Sequence, residues 1–327
     1  MMRNLHWLYL NWKGNKMEYT LGQMVEQRAA FGQALVELAD EYPLVVLDPD
    51  VCMSTQTYKF RDKFPERFYQ VGIAEQNMVG IAAGLSTQGL IPFASAFAVF
   101  LVNRSGDQIR NSVAHPKANV KLNGAYGGLP TGRAGATHSC FEDIAEMRAL
   151  PNMTILEPAD AVEAAFCTRL ALEIDGPVYL RTVRCAVPTI FNNDHKVEIG
   201  KGIWLREGTD LTLISTGLMP SRAIDASVLL EQKGIQAGVL HMPCIKPLDT
   251  DAIAKAAQNG LIVTVENHSI IGGLGSAVCE SIAESFPCRV KRIGFPDIFL
   301  ESGDDEELFD RYGLSAERIA AISADQI

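Results

Sequence analysis

Apolar residues along this chain fall into short unbroken runs separated by longer stretches where they recur every three or four positions, the signature of buried strands alternating with helices. Runs at 44–47, 90–94, 119–123 and 178–181 read as strands in the first half, with a helix over 161–172. Runs at 211–215, 238–240, 261–265 and 289–290 do the same in the second half. Phe68, Tyr69 and Val71 suit a further buried strand that ends at a Gly72 turn. The helix beyond it carries Met78, Val79, Ile81, Ala82, Ala83 and Leu85, too apolar a set for a solvated helix. Thr20-Leu21-Gly22-Gln23 has the spacing of a capping box and predicts a helix whose core side carries Met24, Phe31, Leu35 and Leu38. The acidic run from Asp304 to Glu307 opens another helix. The expected fold class is α/β, with two doubly wound domains at 20–187 and 203–327 joined by a polar linker at 188–202.

Residues 1–19 read as a disordered leader, and Met17 is a second candidate start. Its aromatic-rich stretch is interrupted by His6 and Asn11, so it makes a poor signal peptide and is too short to span a membrane. A net charge of −10 argues against nucleic acid or an anionic membrane as the main partner. The seven cysteines form no C-x-x-C pair and suit a reducing cytoplasm; His241-x-x-Cys244 lacks a second pair of zinc ligands.

Candidate chemistry gathers after the strands. Glu75 opens a helix in a dry neighbourhood, where it either caps the helix as an anion or holds a proton for a ligand. Asp50 and Ser54 follow the 44–47 strand, at the edge where open α/β sheets bind ligands. Phe97 and Phe100 are spaced as core residues or as a paired ring surface. Five glycines between Gly124 and Gly135 make a loop whose backbone can approach a ligand closely.

The segment from Phe68 to Met78, with its G-I-A-E-Q-N-M, resembles the pyrimidine-binding segment of transketolases, and the resemblance runs from about Thr20 to the end of the chain. It implies a thiamine pyrimidine-binding domain followed by a transketolase C-terminal-like domain that serves as scaffold and dimer contact. Glu75 would then hydrogen-bond N1′ of the thiamine diphosphate aminopyrimidine, promoting the imino form whose N4′ takes the thiazolium C2 proton. Asp50 would face the cofactor pocket. Phe100 would stack on the pyrimidine with Phe97 beside it. Arg104 and Asp107, in R-x-x-D-Q-I-R, would pair at a subunit interface. His138, in G-x-T-H, would contact the donor's C1 hydroxyl and carbonyl. Arg184 would bind an acceptor phosphate, Ser54 would lie in the substrate loop, and His268 would line the channel.

Two positions depart from the family pattern. Arg133-Ala134 replaces an acid-bearing pair, and Tyr126 replaces a histidine that helps hold the sugar phosphate. A cationic Arg133 would suit a carboxylate, sulfonate or phosphate. The chain also contains no G-D-G, the segment through which full-length thiamine enzymes hold the diphosphate and its Mg²⁺. The resemblance is therefore to the C-terminal subunit of a split transketolase, expected to transfer a two-carbon ketol unit from a ketose or ketose phosphate to an aldose. A companion N-terminal subunit would supply the diphosphate and metal groups, within a heterotetramer. The alternatives are the β subunit of a 2-oxoacid dehydrogenase or decarboxylating synthase, and a non-catalytic partner subunit.

Overall fold

The computed structural model describes residues 18–129 and 131–327. The first sheet has seven strands, in the spatial order Cys244–Lys246, Thr154–Leu156, Val178–Thr182, Lys121–Ala125, Ile91–Phe97, Leu44–Asp48 and Phe68–Gln70. Neighbours run parallel except for the first pair. Successive residues of a strand point to opposite faces. Leu44 and Val46 therefore pack with Phe31, Leu35, Phe166 and Leu170 of helices Gln27–Leu38 and Ala161–Glu173. Val45 and Leu47 pack on the other side with Met78, Val79 and Leu101 of helices Glu75–Ser86 and Ala98–Gln108. Helices on both faces explain why the central strands are apolar throughout. Each fully buried ring such as Phe31 contributes about 2–3 kcal/mol.

The second sheet, in the order Arg289–Phe295, Leu261–Ser269, Leu211–Ser215, Ala237–His241 and Ile203–Arg206, is likewise parallel except at its last pair. Leu213, Val239 and Val263 share one core with helix Met219–Glu231, and Ile214, Leu240 and Ile262 share another with helices Thr250–Ala257 and Leu274–Glu284. Two doubly wound α/β units result, as the hydrophobic pattern predicts. They are laced together, because strand Cys244–Lys246 from the second half completes the edge of the first sheet.

Local signals are overridden in three places. Gln23 Oε1 accepts the Thr20 amide at 3.1 Å, one arm of a capping box, yet the turn opens a strand, Met24–Glu26, and the helix starts only at Gln27. The strand Ala186–Pro188 supplies an antiparallel partner there, and Met24 is left 59% exposed instead of facing the core. Phe68–Gln70 is an edge strand rather than a buried one, and Tyr69 is exposed because no strand lies beyond it. The stretch 188–202 is packed: Asp160 accepts the Ile190 and Phe191 amides, and Phe191 and Val197 are buried. Asn193 exchanges two 2.9 Å hydrogen bonds with the backbone of Tyr19, so ordered contacts begin inside the segment read as leader. Residues 1–17, the rest of that leader, lie outside the described residues. Asp304 caps helix Asp305–Arg311, as the acidic run predicts.

The glycine-rich loop serves the protein itself. A Cβ on Gly124 would collide with the Tyr179 hydroxyl, one on Gly128 with the Asn267 amide, and one on Gly135 with the Ser302 hydroxyl. On Gly127 it would meet Arg181 Nε at 2.6 Å. The close approach these four glycines make is to polar side chains of the protein, of which Tyr179, Asn267 and Arg181 are buried. Arg181 is the centre of a buried polar layer. It donates to Asp143 at 2.7 and 3.1 Å, to Glu157 at 2.6 Å, and to the Asn267 and Cys140 carbonyls at 3.1 Å. No helix among the described residues is long and apolar enough to cross a membrane.

Candidate active site

Glu75 is the first residue of helix Glu75–Ser86, where the free amides of the first turn favour an anion. The turn that presents it is braced from the neighbouring strand. Asp50 Oδ1 accepts Gln70 Nε2 at 2.9 Å, and Gln70 Oε1 accepts the Gly72 amide at 3.1 Å. Asp50, exposed and in the left-handed region at φ 73°, thus holds the Glu75 turn in place. The Glu75 side chain is 3% exposed and ends beside a pocket of about 510 Å³ lined by Ile73, Ala74, Glu75, Gln76, Asn77 and Arg104. Arg104 Nη1 lies 3.0 Å from both carboxylate oxygens.

Helix Ala98–Gln108 follows the strand that ends at Phe97 and carries Phe100 and Arg104 one turn apart. The Arg104 guanidinium lies over the Phe100 ring, 4.3 Å from its centroid. Arg104 therefore pairs with Glu75 and not with Asp107, which instead accepts from Asn111 at 2.6 Å. Between the two residues, Ser105 has non-helical dihedrals of −107° and 15°.

A cluster of rings continues from Phe100. Phe97 stacks with Phe100 at 5.8 Å between centroids and with Tyr126 at 4.2 Å, and His138 meets Phe100 edge-on at 5.3 Å. Each such pair adds about 0.5–1.5 kcal/mol beyond burial and fixes ring orientation. Tyr126 reaches this position through a left-handed backbone, φ 60°, a strain that surrounding contacts must hold. One of them is Arg28, whose Nη1 donates to the Tyr126 hydroxyl at 2.8 Å and to the Ser54 carbonyl at 2.9 Å. Arg28 also pairs with Glu26 at 2.9 Å. The exposed Arg184 stands on the same ring, 5.9 Å from its centroid. Thr137 Oγ1 and His138 Nδ1 share a 2.9 Å hydrogen bond.

Glu75, Phe97, Phe100, Tyr126, His138, Ser54 and Arg184 are thus brought into one continuous site. Three predicted residues are not: Asp50 is exposed, bonds Gln70 and is not among the residues lining the Glu75 pocket, and Arg133 and His268 lie apart from it. Arg133 is exposed in the turn Gly132–Ala134 beside helix Asp305–Arg311, and makes none of the ring contacts just described. His268 lies in the layer between the two halves with its side chain wholly buried. Its Nδ1 bonds the Ser269 carbonyl at 2.8 Å, and Asp143 is 3.9 Å from Nε2. Burial pushes His268 down to about 4, which favours the neutral ring, and its wholly buried side chain makes no contact with the ring cluster around Phe100. Burial likewise raises Glu266 beside it to about 8, although the Leu274 and Gly275 amides donate to its carboxylate.

Among the described residues, no group of three or more His, Cys, Asp or Glu side chains is placed to hold a metal ion. The pieces that are present, a buried carboxylate opening on a pocket beside a face of stacked rings, fit the aminopyrimidine end of thiamine diphosphate.

The family profile for the transketolase pyrimidine-binding domain matches residues 23–189, and that for the transketolase C-terminal domain matches residues 200–319. The chain belongs to the transketolase family. It is 41% identical to one of the subunits of the apulose-4-phosphate transketolase of Phocaeicola vulgatus, over 90% of this chain and 96% of that one. It is 39% identical to the 6-deoxy-6-sulfo-D-fructose transketolase subunit SqwH of a Clostridium species, over 84% and 86%. A solved split-gene transketolase, described as an inactive β4 tetramer, superposes with a TM-score of 0.85 at 46% identity, covering 91% of this chain and 96% of that one. The Campylobacter jejuni transketolase shares the fold, with a TM-score of 0.79 at 24% identity, and this chain spans 50% of it. This transketolase-family chain thus corresponds in extent to the separately encoded C-terminal subunits.

Two arginines join the site without having been expected there. Arg28 sits in the first turns of a helix, and no sequence pattern distinguishes it from a surface arginine. Arg104 was within reach: it lies four residues after Phe100, one turn along the same helix.

Proposed function

We propose that this chain is the pyrimidine-binding subunit of a thiamine diphosphate-dependent transketolase that moves a two-carbon ketol unit from a ketose phosphate to an aldose. It works in the cytoplasm with a companion N-terminal subunit that holds the diphosphate and Mg²⁺, most simply as a heterotetramer. The observation that carries the reading is the buried Glu75 carboxylate at a pocket whose Arg104 lies on the Phe100 ring, with Phe97 and His138 next to that ring.

When bound, thiamine diphosphate supplies the C2 carbanion nucleophile. Glu75 offers its carboxylate at the pyrimidine N1′ position, held by its helix and by the Asp50–Gln70–Gly72 brace. Phe100, backed by Phe97, provides the flat face and excludes water from it. His138 is oriented by Thr137 and by the Phe100 edge, and would donate a hydrogen bond to the carbonyl oxygen of a bound donor. Arg184 is exposed against the Tyr126 ring, which the Glu26-paired Arg28 also contacts, and as a cation there would suit a donor or acceptor with an anionic end. Phosphate and sulfonate sugars, the groups named in two of the relatives, are of that class.

The test is Glu75→Gln in the complex with the companion subunit. Ketol transfer should fall by two orders of magnitude or more, about 3 kcal/mol of lost transition-state stabilisation, with the complex intact by gel filtration. Retained activity in Glu75→Gln would overturn the assignment.

A further inference from the structure

Arg104 makes with its own chain the two contacts that the pyrimidine needs. Its planar guanidinium lies on Phe100, 4.3 Å from the ring centroid, where the proposed stacking face is. Its Nη1 also sits 3.0 Å from both oxygens of Glu75, which leaves the carboxylate edge facing the pocket already engaged. A guanidinium is a flat, donor-bearing cation, and stacking plus a carboxylate hydrogen bond is the combination it shares with a protonated heteroaromatic ring.

The exposure of the two partners differs. The Glu75 side chain is 3% exposed and the Arg104 side chain 48%, and Arg104 itself lines the pocket. The helix beneath Arg104 is broken at the next residue, Ser105, whose dihedrals are −107° and 15°. A half-exposed arginine beside a helix break can swing into the open pocket, whereas the carboxylate is fixed by its surroundings. Removing the pair leaves no buried charge stranded, provided another donor replaces the guanidinium at Glu75.

We infer that Arg104 is a stand-in for the aminopyrimidine, covering Phe100 and Glu75 in the unloaded subunit, and that it must leave this position when the cofactor enters. The inference rests on the reading of Glu75 and Phe100 as the pyrimidine's contacts. Apparent cofactor affinity is then lowered by the fraction of molecules in which Arg104 is closed, and taking away the guanidinium removes that penalty.

The experiment is a titration of the assembled two-subunit complex with thiamine diphosphate at saturating Mg²⁺, followed by calorimetry and by stopped-flow fluorescence. It compares wild type, Arg104→Ala, Arg104→Gln, Glu75→Gln and the Glu75→Gln/Arg104→Gln pair. Arg104→Gln keeps most of the stem and so guards against a folding defect in Arg104→Ala. For this half-exposed pair the dissociation constant should tighten by about threefold to tenfold in the Arg104 variants, through a faster association rate. The gain should vanish in the Glu75→Gln background, where the anchor holding Arg104 closed is gone. Unchanged or weaker binding in both Arg104 variants, with wild type binding normally, overturns the inference and leaves the functional reading standing. No binding by any variant of a confirmed complex overturns both.

Discussion

Replacing Gly128 by alanine tests whether the glycine-rich loop serves the contact between the two halves. Gly128 has φ 74°, a conformation that costs a side-chain-bearing residue about 1–2 kcal/mol. The added methyl would also occupy the place of the Asn267 amide, which is 1% exposed. Asn267 accepts the Leu129 amide at 2.9 Å and donates to the Gly127 carbonyl at 3.2 Å. Displacing it forfeits both bonds and strands buried groups, for about 2–3 kcal/mol more. Gly128→Ala should therefore destabilise the chain by about 3–5 kcal/mol, and Asn267→Ala alone by about 2 kcal/mol. Once Asn267 is shortened, the methyl has room. The double variant should then be about 2 kcal/mol more stable than the sum of the single effects predicts. Urea unfolding followed by far-ultraviolet circular dichroism measures all four proteins. Additivity within about 0.5 kcal/mol would refute the reasoning, because the collision with Asn267 would then not be what makes glycine necessary.

Other expectations follow from the buried charges. Arg181→Met should cost about 3–5 kcal/mol, since it leaves the Asp143 and Glu157 carboxylates buried without a cation, and adding Asp143→Asn should recover part of the loss; a drop below about 1 kcal/mol would sink this. Burial raises Asp48 to about 6, against the opposing effect of the Val51 amide and the Thr55 and Thr57 hydroxyls that donate to it. Its folded value lies above the unfolded one, so its contribution is fully present below about pH 4 and is lost as pH rises through 6, about 3 kcal/mol in all. Asp48→Asn should flatten that slope, which denaturant midpoints at pH 4.5 and 7.5 would reveal; parallel slopes in the two proteins would contradict it.

The Glu75 turn was legible because everything that makes it is local: a short strand, Gly72, and a carboxylate at a helix start. Phe97 and Phe100 were legible for the same reason, being three residues apart after one strand. Asp50 was expected to face the cofactor pocket, whereas it bonds Gln70 and is not among the residues lining the pocket at Glu75, a pairing that depends on which strands lie side by side. The expected strand stops at residue 265, but the strand runs on through Ser269, so His268 is a buried strand residue rather than one in the loop beyond.

By itself, then, the sequence determined the α/β class, the two doubly wound units, the carboxylate at the helix start and the paired rings, all of which depend on period and near neighbours. Only the tertiary structure decided the partner of Glu75, the close approaches made by Gly124, Gly127, Gly128 and Gly135, the course of the chain from 188 to 202, and the strand that the second half lends to the first sheet. Those outcomes depend on groups far apart in sequence meeting in the fold, as Arg104 meets Glu75 across 29 residues and Asn267 meets the Gly127 carbonyl across 140. Strand order and burial set such meetings, and neither is written in any short stretch of chain.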